Sequence, residues 1–431
     1  MNSARLWLAA AVVSCGLGTV SAAPVPAAPS DEQLKERALQ LNELTNTEAM
    51  QAKLTELLKD KDNTRALVEY AAKLHKEAKD KDKPFKFNAA IVLAKASHNL
   101  KQNDTAETFY SFAATAATRL QSGSKMLLAY EGLLDLYWDQ KKFKDVEEVC
   151  QKLMEARGKE IDQAKPFVLE KLVQAKAKQG DTDEALRMAE GLVQLDQGGW
   201  YFLQLKGWVQ REAGKIDDAI ATYEDVIEKV EDAKGLKDDM KTRLKKNARY
   251  IISGLHVDNK NIDKAADQLK KLIKDDPENP TFYNDLGFIW ADHDKNFKES
   301  EEYIRKALDL DAKQRKKLLE EGKIDAVEAA KENAAYLDSL GWVLFKQGKN
   351  KEAKKYLLEA IKDKEDEEGQ HIEIWDHLAD VHVALGEKKE AVDIWTKALK
   401  FDDISKRDAE RRKKITEKLK KVKAELAKSE K

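Results

Sequence analysis

The chain has 431 residues, 36% of them charged, with 77 basic against 79 acidic side chains and a net charge of −2. That balance excludes a general electrostatic pull toward nucleic acid. With only 19 glycines and 7 prolines, the composition points to long helices joined by short loops.

Met1 to Ser30 reads as a targeting segment. Arg5 supplies a positive start, Leu6 to Val13 an apolar core, and Val20, Ser21 and Ala22 a small-residue cleavage site, so residues 1–22 are expected to be a signal peptide. Val12, Val13, Ser14 and Cys15 also resemble a bacterial lipoprotein box. Simple secretion and lipidation at Cys15 therefore both stay open. Either route removes or modifies Cys15, so it cannot pair with Cys150, and stability must come from packing. Residues 23–30 form a Pro/Ala-rich lead-out. No later stretch reaches the roughly 20 apolar residues that a membrane span needs.

Residues 31–86 read as N-terminal helices that shield the open face of the first repeat unit. Leu34, Ala38 and Leu41 keep helical spacing. Thr45 and Glu48 suggest a capping box ahead of Met50, Leu54 and Leu57. Asn63 is the expected cap of a helix carrying Leu67, Tyr70, Ala71 and Leu74.

From Phe87 onward one ruler, with steps of 7, 5 and 7 residues, recurs. It lands on Ala94, Lys101, Ala106 and Ala113, then on Leu134, Lys141, Val146 and Leu153. Val173, Gly180, Ala185 and Leu192 come next, then Gly207, Gly214, Ala219 and Val226, and then Ser253, Lys260, Ala265 and Leu272. A sixth unit runs through Leu286, Gly287, Trp290, Ser300 and Ala307, with one inserted residue in its Asp292 to Phe297 turn. Residues 311–333 are an insertion, expected as an extended or extra helix. The pattern is fullest at the end, in Gly341, Gly348, Ala353 and Ala360, and again 38 positions on in Ala379, Gly386, Ala391 and Ala398. Small residues at these steps mark close crossings of paired helices, and the residue at the turn needs backbone freedom. No such pair can bury its apolar face alone, so the units must stack. About eight units occupy residues 87–404.

This pattern resembles the tetratricopeptide repeat. Trp375, Leu378, Ala379, Ala391, Trp395 and Ala398 fall on that family's signature positions, whereas His382 stands where tyrosine is usual and Leu337 where tryptophan is usual. The resemblance implies an all-α fold, a right-handed α-solenoid of stacked helix-turn-helix repeats. The tail, residues 405–431, carries the apolar stripe Ile415, Leu419, Val422 and Leu426 and holds 12 basic against 5 acidic residues. It reads as a basic amphipathic capping helix, with contact to a polyanion or membrane surface as the other reading.

Little in the chain can carry chemistry. His371, His377 and His382 are spaced by 6 and 5 residues, which does not place them on one helix face. There is no Cys-x-x-Cys, HExxH, P-loop, GxGxxG or GxSxG pattern. No catalytic residue, metal or cofactor is expected. Cys150 takes an apolar position of a second helix and reads as a buried core thiol.

In the resembling family, first-helix side chains line a concave face that binds peptides or helices. Carried over, that face comprises Trp208, Arg211, Tyr250, Asn284, Phe288, Asp338, Trp342, Asp376 and Asp380. Carboxylates beside aromatic anchors suit a partner segment of apolar and basic character. Packing of Phe288 and Trp342 between units stays open as the alternative. Members of the family that clamp a C-terminal carboxylate use Lys, Arg and Asn where Asp338 and Asp376 stand, so no such clamp is expected. The sequence thus predicts a non-catalytic scaffold or adaptor, exported to the periplasm or beyond, or lipid-anchored to the envelope membrane. Its expected partner is a protein segment rather than nucleic acid. Membrane contact would come only through a lipid anchor or the basic tail. A hydrolase or enzyme subunit with an unrecognised site is the alternative.

Overall fold

Helices make up all the regular structure among the described residues. The computed structural model describes residues 29–79, 83–196, 198–363, 369–401 and 405–429. The leader, Cys15 and most of the 23–30 segment lie outside these.

The chain divides into two compact units. The N-terminal unit ends at Ala219 and the C-terminal unit begins at Ile220. The first opens with α1 (Asp31–Gln40), a short 3-10 turn (Leu41–Glu43), α2 (Thr47–Leu58) and α3 (Lys61–Glu77). Asn46, not Thr45, caps α2, its side chain accepting from Ala49 N at 2.8 Å. Asp60, not Asn63, caps α3, accepting from Asn63 N at 3.1 Å. In both places an Asx side chain N- or C-terminal to the expected cap takes the orphan amide. Then come α4 (Phe87–Asn99) with α5 (Asn103–Arg119), α6 (Gly123–Asp139) with α7 (Phe143–Glu155), and α8 (Lys159–Gln179) with α9 (Thr182–Leu195). The unit's helix α10 (Trp200–Glu212) packs on α8 and α9. Asn42 ties the opening helices to the first pair, donating to Pro84 O at 2.8 Å and accepting from Lys86 N at 2.7 Å.

Helix α11 (Ile216–Asp232) crosses the division. The C-terminal unit continues with α12 (Asp238–Asp258) paired with α13 (Ile262–Asp275), and α14 (Pro280–Asp292) with α15 (Phe297–Glu320). Across residues 311–333, α15 is prolonged to Glu320 and a one-turn helix, α16 (Ala326–Ala329), comes after it. Arg315 holds the two together, pairing with Asp311 at 2.8 Å and donating to Glu328 O at 3.5 Å. Then α17 (Ala334–Lys346) pairs with α18 (Asn350–Ala360), α19 (Ile372–Ala384) pairs with α20 (Lys388–Ala398), and α21 (Lys406–Ser429) closes the unit. Each unit is therefore an all-α stack of helix pairs.

The small residues sit where helices meet. Ala353, Ala379, Ala391 and Ala398 are buried. A Cβ added at Gly341 would come within 2.5 Å of Leu357 Cγ, and one at Gly287 within 2.8 Å of the Ser300 carbonyl oxygen. Cys150 is buried in α7, and burial pushes its thiol up to about 12.

The turn residue of each full series is left-handed whatever its type, with φ of 59° at Lys101, 57° at Lys141, 58° at Lys260, 78° at Gly348 and 80° at Gly386. For side chains other than glycine this conformation costs about 1–2 kcal/mol. Gly348→Ala should therefore cost about 1 kcal/mol, whereas Lys141→Gly should be neutral or slightly stabilising. Denaturant melts of the two variants check this pair. Equal losses would show that the turn strain is absent.

Candidate partner-binding face

The face inferred for a partner divides between the two units. In the N-terminal unit, α10 carries Trp208, half-buried, and Arg211, exposed. The Lys178 ammonium lies over the Trp208 ring at 5.3 Å and pairs with Glu212 at 2.9 Å. These residues belong to that unit alone.

In the C-terminal unit the remaining residues fall into two groups. Tyr250 of α12 donates to Asp285 at 2.6 Å, and Asn284 reaches the same carboxylate at 3.2 Å. Burial, opposed by these two hydrogen bonds, raises the Asp285 carboxyl above its ordinary range. Burial and the nearby Asp285 charge likewise push the Tyr250 hydroxyl up. Asn284 is buried, and its side-chain oxygen has no partner among the described residues.

The second group is built around His377, a residue that local spacing does not single out. It sits on α19 and is completely buried. The Trp342 ring of α17 stacks on it at 3.9 Å and 13°, and Phe288 of α14 lies 6.3 Å away. Trp342 also donates from Nε1 to Asp292 at 3.1 Å, so it both packs between helix pairs of this unit and is fixed by a hydrogen bond. His377 Nδ1 is 2.9 Å from Asp338, and its Nε2 is 3.4 Å from Arg411. Burial and the Arg411 cation oppose protonation of the ring. The Asp338 carboxylate outweighs both and holds the imidazole above its ordinary value.

Asp338 and Asp376 are not open to water; they are 5% and 2% exposed. Asp376 accepts from Trp395 Nε1 at 2.8 Å, from Lys418 at 2.9 Å and from Arg411 at 3.3 Å. Lys418 also reaches Asp380 at 2.6 Å, and Arg411 reaches Glu373. Burial, then the neighbouring Asp376 charge, raises the Asp380 carboxyl, with Lys418 pulling it back. The chain's own α21 thus supplies the cations that this acidic face requires. Its apolar stripe does the matching work. Ile415 and Val422 are buried, and Leu419 and Leu426 pack beside them, against Ile372, Ala379, Ala391, Trp395 and Ala398. At its start Arg407 meets Asp258 at the end of α12. The tail's basic character was visible in composition. The α19 partners of Arg411 and Lys418, 34 to 42 residues away in sequence, were not.

No group of three or more His, Cys, Asp or Glu side chains is arranged to hold a metal among the described residues. No described helix is long and apolar enough to cross a membrane.

One tetratricopeptide-repeat family model matches residues 171–234 and 255–315, and a second such model matches residues 333–371. No curated protein matches the chain. Among solved structures, a tetratricopeptide repeat protein from Parabacteroides merdae is similar at 16% identity and a TM-score of 0.43, over 67% of this chain and 98% of that one. The C-terminal part of a TPR repeat-containing protein from Cytophaga hutchinsonii is similar at 14% identity and a TM-score of 0.37, over 65% and 98%. BtubC from P. vanneervenii is similar at 15% identity and 0.36, over 59% and 92%.

Proposed function

From the premise that this chain is a tetratricopeptide-repeat protein, we propose that it is an exported scaffold or adaptor of a bacterial envelope. Repeats of this family generally bind protein or peptide partners. The finer reading assigns this chain a partner segment of apolar and basic character, held by the face that α17 and α19 present. One observation carries it. The groups that satisfy Asp376 and Asp380 are a lysine and an arginine on an amphipathic helix. A face that must take cations beside a stacked Trp342–His377 pair selects against acidic segments through desolvation and like-charge repulsion. Export is supported by Arg5, the apolar run after it and the small residues before Ala23. Catalysis is not part of the reading. An activity screen of the purified chain for hydrolysis is expected to be blank, and turnover abolished by a single substitution would favour the enzyme alternative.

Two experiments test the rest. The native protein should have the intact mass of a chain starting at Ala23, or of one starting at an acylated Cys15. A mass that retains residues 1–13 would refute export. On an array of synthetic peptides, the chain should retain those that combine Lys or Arg with large apolar residues. Preference for acidic peptides would contradict the assigned chemistry.

A further inference from the structure

Helix α21 is the terminal described element, and among the described residues it is held by α19, by α20 and by the Arg407 contact to Asp258. Its apolar stripe is narrow, four residues in a 24-residue helix, and the rest of the helix is mostly charged. The ion pairs it makes are not sealed. The Lys418 and Arg411 side chains stay 34% and 24% exposed while the Asp376 side chain they cover is at 3%. Water can therefore reach the cations and solvate the carboxylates as the helix leaves, which lowers the barrier that a fully buried pair would impose.

Arg411 and Lys418 are seven residues apart, two helical turns, so both face the same way, with Ile415 between them. That pattern is compact and easily reproduced by another helix. We propose that α21 is a built-in, exchangeable ligand of the α19 side of the α17–α19 face, which it covers together with α20. An external amphipathic helix with two basic residues seven positions apart and apolar residues between and beyond them takes its place. The partner's apolar residues would re-cover Trp395 and Ala391, and its two cations would meet Asp376 and Asp380. The closed chain is then self-inhibited, because a tethered helix competes at an effective concentration of the order of millimolar. This rests on the reading of the same face as the partner site.

The test uses the whole chain with a protease-recognition sequence in place of residues 402–404, and a fluorescent peptide of residues 405–431. Before cleavage the peptide should bind at least 100-fold more weakly than after it, because cleavage removes the tether and lets the covering helix exchange. A peptide carrying Arg411→Glu and Lys418→Glu should bind the cleaved chain at least tenfold less tightly than the unaltered one. Circular dichroism of the cleaved chain should stay unchanged, and loss of helix on cleavage would overturn the proposal by making α21 a structural cap. So would failure of the labelled peptide to exchange over hours. A dimer of the uncleaved chain that the peptide dissolves would assign the face to a second copy instead. If the peptide exchanges but a native partner is later found bound elsewhere, the partner-site reading fails while the exchange stands. The reverse pattern separates the two the other way.

Discussion

Asp338→Ala is expected to destabilise the α17–α19 region by about 3 kcal/mol or more, because it leaves a completely buried imidazole without its carboxylate. The loss should depend on pH, and its sign comes from His377. The folded ring has a raised pKa, so the folded state binds its proton more tightly than the unfolded chain does. The stability that this supplies is fully present below the unfolded value of about 6.5. It is lost as pH rises through the folded value. Asp380, also raised, pushes stability in the same direction, but over the carboxylate range. The other charges around the ring are Glu373 and Asp376 on α19 and Arg411 on α21, and Asp338→Ala leaves them in place. The penalty of the variant should therefore be largest below about pH 6.5 and shrink above the folded His377 value, where the wild-type ring is neutral too. Hydrogen exchange localised to α17 and α19, followed across pH, checks this. A penalty that does not change with pH would mean that the His377–Asp338 contact carries no charge.

Trp395→Ala should cost about 3–5 kcal/mol, the range for emptying a fully buried aromatic site. The indole is 1% exposed and joins the core formed by α19, α20 and α21. It is also a hydrogen-bond donor to Asp376, which would then depend on Lys418 and Arg411 alone. Trp395→Phe separates the two effects, since it keeps most of the apolar volume and removes only the donor, for about 1–2 kcal/mol. In a stack of pairs each element touches mainly its neighbours, so protection in α19 to α21 should fall in both variants while that of α4 and α5 stays. Uniform loss across the chain would contradict a repeat architecture whose pairs are coupled only locally.

The fold was legible because it is written locally. Steps of 7, 5 and 7 residues placed Gly341, and the same series with one inserted residue placed Gly287, at helix contacts too close for a side chain; the steps also placed Gly348, Gly386, Lys101 and Lys141 at left-handed turns. The turn tolerates lysine as well as glycine: Lys101, Lys141 and Lys260 take the same left-handed conformation as Gly348 and Gly386. The helix starts were less legible. Asn46 and Asp60 each stood close to a plausible cap, and only the backbone geometry chooses between them. The grouping of the candidate residues was legible only in part. Asp338, Phe288, Trp342, Asp376 and Asp380 do gather on neighbouring helices of one unit. Nothing local announced that Asp338 and Asp376 would be buried, or that His377 would be the hub between α14, α17 and α21. Those contacts join residues that are far apart in the chain, and no periodicity encodes them. Of the two readings of the tail, the cap was drawn from its apolar stripe and the contact arm from its charge. The geometry adds that its cations already face carboxylates of the same chain.

The central claim, that the α17–α19 face is where a basic and apolar segment binds, is most directly tested by zero-length carbodiimide crosslinking in the native host, read by mass spectrometry. In the isolated chain Lys418 should couple to Asp380, from which it is 2.6 Å away. In cells, that link should be partly replaced by links from Asp376 or Asp380 to a lysine of another protein, within a segment rich in apolar residues. If the Lys418–Asp380 link persists undiminished while partner links map to other helices, the face is not the binding site.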